Sequence, residues 1–246
     1  MVRYQLLIEY VGTNFRGWQI QKKGSTIQGL IQEKLSKLLK EKIILNGSGR
    51  TDTGVHAIEQ SAHFDCKNKI IDLKKFLKSI NYFLNNKGIA ITKIKKRSNQ
   101  FHSRFSAKGR KYKYCILNRR TASPLLRNKS WRIPNHLDLK LMENASKYLI
   151  GKHDFTAFRS IDCQAKSPIK TIDNITINNE GELIEIYVEA KSFLMNQVRI
   201  IAGTLVDIGL LKKTNKDIQS ALDNKDRKFS GPTAPSFALI LQKIIY

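Results

Sequence analysis

The sequence has few cysteines and no long apolar stretch. Cys66, Cys115 and Cys163 are odd in number and widely spaced, which excludes a disulfide framework, and no CxxC or helical His pair indicates a zinc site. No run of about 18 apolar residues is present, and the N-terminus turns polar too early for a signal peptide. We therefore expect a soluble, cytoplasmic protein that binds no metal.

Acidic residues are also scarce. Asp and Glu number 20 against 44 Lys and Arg, which gives a net charge of +24. So large a surplus repels itself in a compact fold, and it usually indicates a polyanionic partner such as RNA. Genome composition explains part of the lysine content, but not the arginines that cluster around the motifs described below.

The apolar periodicity of the first hundred residues indicates a β-α-β-β-α-β unit. Thr26 precedes a helical stripe of apolar residues and Asp72 precedes another, so each is a candidate helix N-cap. Strands are predicted where alternating or β-branched residues cluster, at 3–11, 42–45, 57–64 and 89–94.

The second half repeats this order with one further helix. Its elements are predicted as a strand at 111–117, a helix behind Asp138, a hairpin of strands at 169–177 and 183–190, helices at 193–211 and 214–222, and a strand at 237–245. We therefore predict an α+β protein of two βαββαβ units at 1–106 and 107–246, of the ferredoxin or RNA-recognition-motif type. Their antiparallel sheets are expected to join around a basic cleft.

Residues 46–57, NGSGRTDTGVHA, contain a single carboxylate, Asp52, among three glycines. The glycines let the backbone adopt left-handed conformations and approach a ligand closely. Basic surroundings hold the carboxylate ionised at neutral pH, and an anion repels phosphate. Asp52 is therefore a nucleophile, a base, a metal ligand or a structural partner of Arg50. Metal ligation has the least support, because only Glu59 and Asp65 are near in sequence.

Two further candidates lie in the second half. In KGRKYKYCIL, Tyr112 and Tyr114 share one face of a predicted strand, and Lys111 lies on the other. An aromatic ring beside a basic strand suits base stacking, and packing of the ring in the core is the alternative. In FLMNQVRIIAGTL, Arg199 lies on an otherwise apolar helix, so it requires a carboxylate or phosphate partner unless it reaches solvent.

Two segments rich in arginine and aromatic residues read as surface loops. In NFRGWQIQ, an exposed Trp18 and Phe15 beside Arg16 would be placed to stack on bases or to form an interface. In FHSRFSAKGRKY, His102 and Arg104 are candidates for contact with backbone phosphate. Taken alone, each segment is better explained as a solvated loop.

Eight motifs together resemble the bacterial tRNA pseudouridine synthase A family. They occur in that family's order and span nearly the whole chain, and GRTDxGVHA is the most specific of them. The motifs are FRGWQ, TIQGLIQEKL, GSGRTDTGVHA, FHSRFSAKGRKYKY, GKHDFTAFR, CQAKSPIK, FLMNQVRIIAGTLVDIG and GPTAPS.

The resemblance implies an isomerase that converts uridine to pseudouridine at positions 38, 39 and 40 of the tRNA anticodon stem-loop. It implies that Asp52 is the nucleophile, attacking the sugar C1′ or the base C6. It further implies that Tyr112 stacks on the flipped base and assists proton removal at C5, that Arg199 pairs with the aspartate, and that Arg50 binds RNA. Lys111 is a further candidate for RNA contact. The family acts as a homodimer and uses no cofactor, and no cofactor motif is seen here.

Three positions depart from the family's usual pattern. Thr53 stands where alanine is common, Gln197 replaces a frequent methionine, and Phe237 follows Ser236 where Gly-Leu is usual. Because the final strand is expected to wall the active site, Phe237 is expected to alter the packing of the base rather than the chemistry.

Two other functions remain possible at this point. A non-catalytic RNA-binding protein accounts for the charge but not for Asp52, which would weaken RNA binding. A synthase that acts on another RNA accounts for both, because target choice depends on the shape of the basic surface. A nuclease is excluded by the lack of paired carboxylates or a His pair.

Overall fold

The computed structural model describes residues 1–246, and the chain forms two compact units. The first unit comprises residues 1–108 and 240–246, and the second comprises residues 109–239. Both contain helices and β-strands, so the predicted α+β class is confirmed. The sequence-based division at 106 and 107 differs from these units mainly at the C-terminus.

The first unit follows the predicted β-α-β-β-α-β order. Its elements are β1 (Val2–Tyr10), α1 (Ile27–Leu39), β2 (Asn46–Gly47), β3 (His56–Cys66), α2 (Leu73–Leu84) and β4 (Ile89–Arg97). β1 lies between β3 and β4 and is antiparallel to both, and β2 pairs with β3. The Thr26 side chain accepts from Gly29 N and the Asp72 side chain from Lys75 N, so both predicted N-caps are confirmed.

Residues 42–45 do not form the predicted strand. Ile43 N donates to Ser36 Oγ at 3.0 Å, and Leu45 N donates to Gln32 Oε1 at 3.0 Å. These backbone groups are satisfied by polar side chains of α1 rather than by a neighbouring strand. The pairing with β3 begins immediately afterwards, in β2.

The second unit is built around a long antiparallel hairpin. Its elements are β5 (Gly109–Asn118), β6 (Trp131–Ile133), α3 (Leu139–Ser146), β7 (Gly151–Asp154), β8 (Ile169–Glu180), β9 (Leu183–Ala190), α4 (Gln197–Gly209) and α5 (Asn215–Asn224). The strand order is β5-β9-β8-β7, and β6 pairs with β5 in parallel. The predicted hairpin and the predicted helix behind Asp138 are confirmed, and the Asp138 side chain caps that helix. The short strands β6 and β7 were not predicted.

α4 begins at Gln197, four residues after the predicted start. Asn196 adopts a left-handed backbone with a φ of 63°, which the helix cannot continue through. Gln197 N donates to Leu194 O in a turn at 3.2 Å, and the Gln197 side chain accepts from Leu194 N at 2.8 Å. The apolar residues before Asn196 therefore belong to the approach to the helix.

The last strand, β10 (Leu239–Ile245), belongs to the first unit from Ile240 onward. Ile240 and Leu241 lie parallel to His56 and Ala57 of β3. This pairing joins residues more than 180 positions apart, which no local pattern in the sequence indicates. None of the helices has the length and apolar character needed to cross a membrane.

Candidate active site

The candidate nucleophile lies on a loop whose backbone is anchored near its start. Residues 48–55 connect β2 to β3. Ser48 N donates to Ser61 O at 2.8 Å, and Gln60 Nε2 donates to Gly49 O at 3.0 Å. Both partners lie on β3, so the loop leaves the sheet in a fixed direction.

The residues beside Asp52 are buried and hydrogen-bonded. Trp18 N donates to Thr51 O at 3.0 Å, and the Tyr10 hydroxyl shares a 2.8 Å hydrogen bond with Thr51 Oγ1. Val55 N donates to Asp52 O at 3.1 Å. Thr51 and Val55 are buried, whereas Asp52 is half-buried. The carboxylate is thus carried on a rigid turn, which is the preorganisation that a nucleophile requires.

Close contacts, one with backbone and one with a side chain, explain two of the glycines around the loop. Gly17 has a φ of +76°, and a Cβ placed there would lie 2.5 Å from Thr51 O. Gly47 lies against the indole ring of Trp18, where a side chain would collide. A larger residue at either position would displace the loop that carries Asp52.

The expected exposure of Trp18 and Phe15 is wrong. Trp18 is 2% exposed and Phe15 is 6% exposed. The Trp18 ring lies 6.1 Å from that of Tyr10 and covers Gly47, so it supports the Asp52 loop from within the first unit. A ring buried in this way has no free face on which a base can stack.

The other predicted RNA-binding residues of the first unit lie at the surface. Arg50, Arg16 and Arg104 are exposed, and His102 is half-buried. Arg16 lies across Gly24, whose φ of +87° turns the chain beneath the arginine side chain. Arg50 is two residues from Asp52, so the loop presents positive charge beside its single acid.

A buried histidine lies beneath the start of this loop. His63 Nδ1 lies 2.8 Å from Ser103 Oγ, and Ser103 Oγ donates to Asn46 O at 2.6 Å. Asn46 is the first residue of β2 and pairs with His63 across the sheet. His63 therefore connects β3, the segment around Ser103 and the strand that leads into the Asp52 loop. No local pattern in the sequence indicates this connection.

We expect acid to destabilise the protein through His63. Burial, and then His102 and Arg3, lower the pKa of His63 to about 4, against the opposing effect of Asp65. The unfolded chain binds this proton near pH ~6.5. The contribution of neutral His63 is therefore complete above that pH and falls by up to about 1.4 kcal/mol per pH unit between ~6.5 and ~4.

Urea unfolding of wild type and His63→Gln at about pH 7.5, 6 and 5 measures this contribution. At about pH 7.5 the variant is expected to have a lower free energy of unfolding than wild type, because the substitution alters the hydrogen bonds of His63. Between about pH 7.5 and 5 its free energy of unfolding is expected to fall less than that of wild type, because the titrating histidine is gone. Equal losses in the two proteins would show that His63 does not titrate between these pH values.

Tyr112 lies on β5, opposite Val188 of β9. Its ring meets Phe193 edge-on, with centroids 5.3 Å apart and planes at 86°, and it is half-buried. Tyr114 on the same face is fully buried, and its hydroxyl donates to Pro235 O at 2.9 Å. Tyr114 therefore packs in the core, whereas Tyr112 remains partly exposed.

Lys111 occupies the opposite face of the same strand. Its Nζ lies 2.7 Å from Glu189 Oε1 and 5.0 Å from the ring centroid of Tyr187. The ion pair is partly buried, and it holds the ammonium group away from the face that carries Tyr112. The structure therefore gives Lys111 a structural role within the second unit.

Arg199 is held at two of its nitrogens. Its Nε donates to Ala234 O and its Nη1 donates to Asn196 Oδ1, each at 2.7 Å. Ala234 N donates back to Arg199 O at 3.2 Å. The guanidinium is half-buried, and these bonds fix its plane. The sequence identified Arg199 and the GPTAPS motif, but not that the motif orients the arginine.

Helix α4 lies unusually close to this motif. Gly203 packs against the carbonyl of Pro232, and Gly231 packs against the backbone of Thr204. Thr204 Oγ1 accepts from Gly231 N at 2.7 Å. The two glycines permit backbone-to-backbone contact, which is why the motif can reach Arg199.

The chain matches the family described as tRNA pseudouridine synthase over residues 6–106 and 145–246. It is 53% identical to tRNA pseudouridine synthase A of Pelagibacter ubique (strain HTCC1062) over 246 residues, which cover 100% of both chains. Proteins of the same name from Neorickettsia sennetsu (strain ATCC VR-367 / Miyayama) and Orientia tsutsugamushi (strain Ikeda) are each 42% identical, also with 100% of both chains covered.

The matched residues include the Asp52 loop and the helix that carries Arg199. Tyr112 lies outside them, although the relatives cover the whole chain. The resemblance inferred from eight short motifs is thus confirmed over both units. The chain belongs to the tRNA pseudouridine synthase family, and it is an isomerase of the pseudouridine synthase class.

Proposed function

We propose that the chain isomerises uridine to pseudouridine at positions 38, 39 and 40 of the tRNA anticodon stem-loop, with Asp52 as the nucleophile. The observation that carries the proposal is the anchored loop around Asp52. It presents one carboxylate, held between buried Thr51 and Val55, in a protein with a net charge of +24. A surface meant only to hold RNA gains nothing from an acid fixed in this way.

The reaction rearranges one nucleotide without a second reactant. The bond between ribose C1′ and uracil N1 breaks, a bond between C1′ and C5 forms, the proton on C5 is released to solvent, and N1 takes up a proton from solvent. Nothing is oxidised or reduced, so the proposed reaction needs no cofactor. The Asp52 carboxylate attacks either C1′ or C6, and it leaves again when the new bond is complete.

Tyr112 and Arg199 have separate roles in this proposal. The target base must leave the helical stack, and the ring of Tyr112 replaces part of the lost stacking. The edge-on contact with Phe193 supports this role because it fixes the ring while leaving it half-exposed. Arg199 acts as the charge partner of Asp52, and its two fixed nitrogens support a role in orientation.

The remaining proposed RNA contacts come from exposed cations. Arg50, beside the nucleophile, helps to hold the flipped nucleotide, and Arg16 and Arg104 contact phosphates. His102 contributes to the same surface. Lys111 contributes only where an RNA phosphate displaces Glu189 from its ion pair with the lysine. We further propose that the protein acts as a cytoplasmic homodimer, with tRNA contacting both subunits.

Tritium release from tRNA transcripts labelled at uracil C5 tests the reaction directly. Three further transcripts, each keeping only one uridine among positions 38, 39 and 40, test the target sites. Release from all three supports the full proposal. If none of the transcripts releases tritium although tRNA still binds, the proposal is wrong. The protein would then be a synthase with a different RNA target or a protein that only binds RNA.

Tyr112→Phe separates stacking from proton transfer. We expect the Kd for tRNA to stay within about twofold of wild type, because the ring remains, and kcat to fall by about 100-fold if the hydroxyl assists removal of the C5 proton. Tyr187→Phe is the matched control, because its hydroxyl donates to Glu185 on the other face of the sheet. A fully active Tyr112→Phe enzyme would remove the proton-transfer role and leave stacking alone.

A further inference from the structure

A large aromatic ring is exposed in the connection between β4 and β5. Phe105 is 76% exposed, and the connection that carries it contains hydrogen-bonded turns. Phe101 N donates to Ser98 O at 3.1 Å, and Ser106 N donates to His102 O at 2.9 Å. Phe105 therefore presents a large apolar ring to solvent from a hydrogen-bonded turn.

The ring of Phe105 is supported from within the unit. The His102 ring lies 4.4 Å from it at 34°, and His102 in turn lies 4.6 Å from buried His63. His102 Nδ1 accepts from Arg104 N at 3.1 Å and from Phe105 N at 3.4 Å. These hydrogen bonds and ring contacts, one tilted and one edge-on, fix the position of Phe105 before any ligand arrives, which lowers the entropy cost of binding.

His102 contacts Phe105 as a neutral imidazole ring. Burial, and then Arg3 and Arg104, lower the pKa of His102. Its Nδ1 accepts two backbone hydrogen bonds, which requires an unprotonated Nδ1. His102 is therefore better suited to carry the ring of Phe105 than to bind phosphate as a cation.

The surroundings of Phe105 are basic rather than apolar. The Arg104 guanidinium carbon lies 5.7 Å from the centroid of the Phe105 ring, and Arg104 and Lys108 are exposed. An interface between two copies of a chain with a net charge of +24 would bring such cations together. An aromatic ring with adjacent cations instead matches a nucleotide, which offers a planar base and an anionic phosphate.

We propose that Phe105 is a stacking platform for an unpaired base of the bound tRNA, with Arg104 on the phosphate beside that base. Phe105 belongs to the first unit and Tyr112 to the second, and the base proposed to stack on Phe105 is not the target base assigned to Tyr112. The inference rests on the proposed function, because it takes tRNA as the ligand.

Binding of full-length protein to unmodified tRNA transcript tests the proposal. Phe105→Ala is expected to raise the Kd by about 5- to 150-fold, the effect of losing one stacked base, without changing the slope of log Kd against log salt. Arg104→Ala is expected to reduce that slope by about one. Phe105→Trp is expected to retain affinity, and its added fluorescence is expected to be quenched by tRNA.

Tyr82→Ala is the matched control, because Tyr82 is an aromatic residue of α2 that is 80% exposed. It is expected to bind tRNA as wild type does. Thermal unfolding and light scattering of all variants exclude misfolding and altered oligomeric state as causes.

The outcomes separate this inference from the proposed function. Wild-type tritium release together with an unchanged Kd in Phe105→Ala would overturn the platform alone. A change in oligomeric state in Phe105→Ala would also overturn it, because the ring would then belong to an interface between copies. Failure of wild type to release tritium from any tRNA would overturn the proposed function instead, whatever Phe105→Ala does to binding.

Discussion

Asp52→Ala is expected to lose at least about 10⁴-fold in the rate of pseudouridine formation while its Kd for tRNA stays within about twofold of wild type. The activity falls because no other carboxylate lies in the loop. The fold is expected to survive because the loop's anchors at Thr51, Gly49 and Val55 are made through main-chain atoms that alanine at position 52 leaves in place. Removing an anion from a basic protein does not weaken its attraction for RNA.

Glu59→Ala is the matched control for this experiment. Glu59 is also a half-buried carboxylate, and it lies seven residues further along, on β3. Tritium release and tRNA binding should be measured in both variants under single-turnover conditions. Wild-type activity in Asp52→Ala would show that another group is the nucleophile, and a loss of binding that matches the loss of activity would assign Asp52 a structural role.

Gly203→Ala is expected to destabilise the protein, although helix propensity alone predicts the opposite. Alanine in place of glycine inside a helix gains about 1 kcal/mol. A Cβ on Gly203, however, would collide with the carbonyl of Pro232, which is backbone and cannot rotate away. Such overpacking costs about 3 kcal/mol, so the free energy of unfolding should fall by about 2 kcal/mol.

The same substitution is expected to reduce activity. Moving the Pro232 backbone away from α4 also moves Ala234, whose carbonyl accepts from Arg199 Nε. We expect kcat to fall by about tenfold or more because Arg199 loses its orientation, an effect of misplaced catalytic geometry.

Gly209→Ala supplies a control in the same helix. Its Cβ would meet Met142 Sδ at 2.8 Å and Leu137 Cδ2 at 3.1 Å, and both are ends of flexible side chains. Urea unfolding is expected to place this variant within about 1 kcal/mol of wild type. If Gly203→Ala is as stable as Gly209→Ala, the close contact between α4 and the GPTAPS motif does not constrain the fold.

Much of the fold was predictable because the information is local. Thr26, Asp72 and Asp138 mark helix starts through hydrogen bonds to backbone groups three residues away, so a cap followed by an apolar stripe is enough to place a helix. The β8–β9 hairpin was predictable for the same reason, since its strands are adjacent in the chain. The Asp52 loop was identified by the contrast of one acid with its basic, glycine-rich surroundings.

Other features depend on partners that are distant in the chain. Trp18 is buried because Gly47, 29 residues away, gives its indole room, and a glycine in a sequence does not reveal whether it serves a turn or a ring. Lys111 pairs with Glu189 only because the register of β5 and β9 places them opposite each other. The last strand belongs to the first unit through pairing with β3.

The sequence by itself thus determined the class of fold, the family and the identity of the candidate nucleophile, because these depend on short motifs and local periodicity. Only the tertiary structure decided which aromatic rings are buried or exposed, so that Trp18 became a support for the loop and Phe105 a candidate platform. It also decided what holds Arg199 in place. Burial and orientation are set by contacts between segments, and those contacts exist only once the chain has folded.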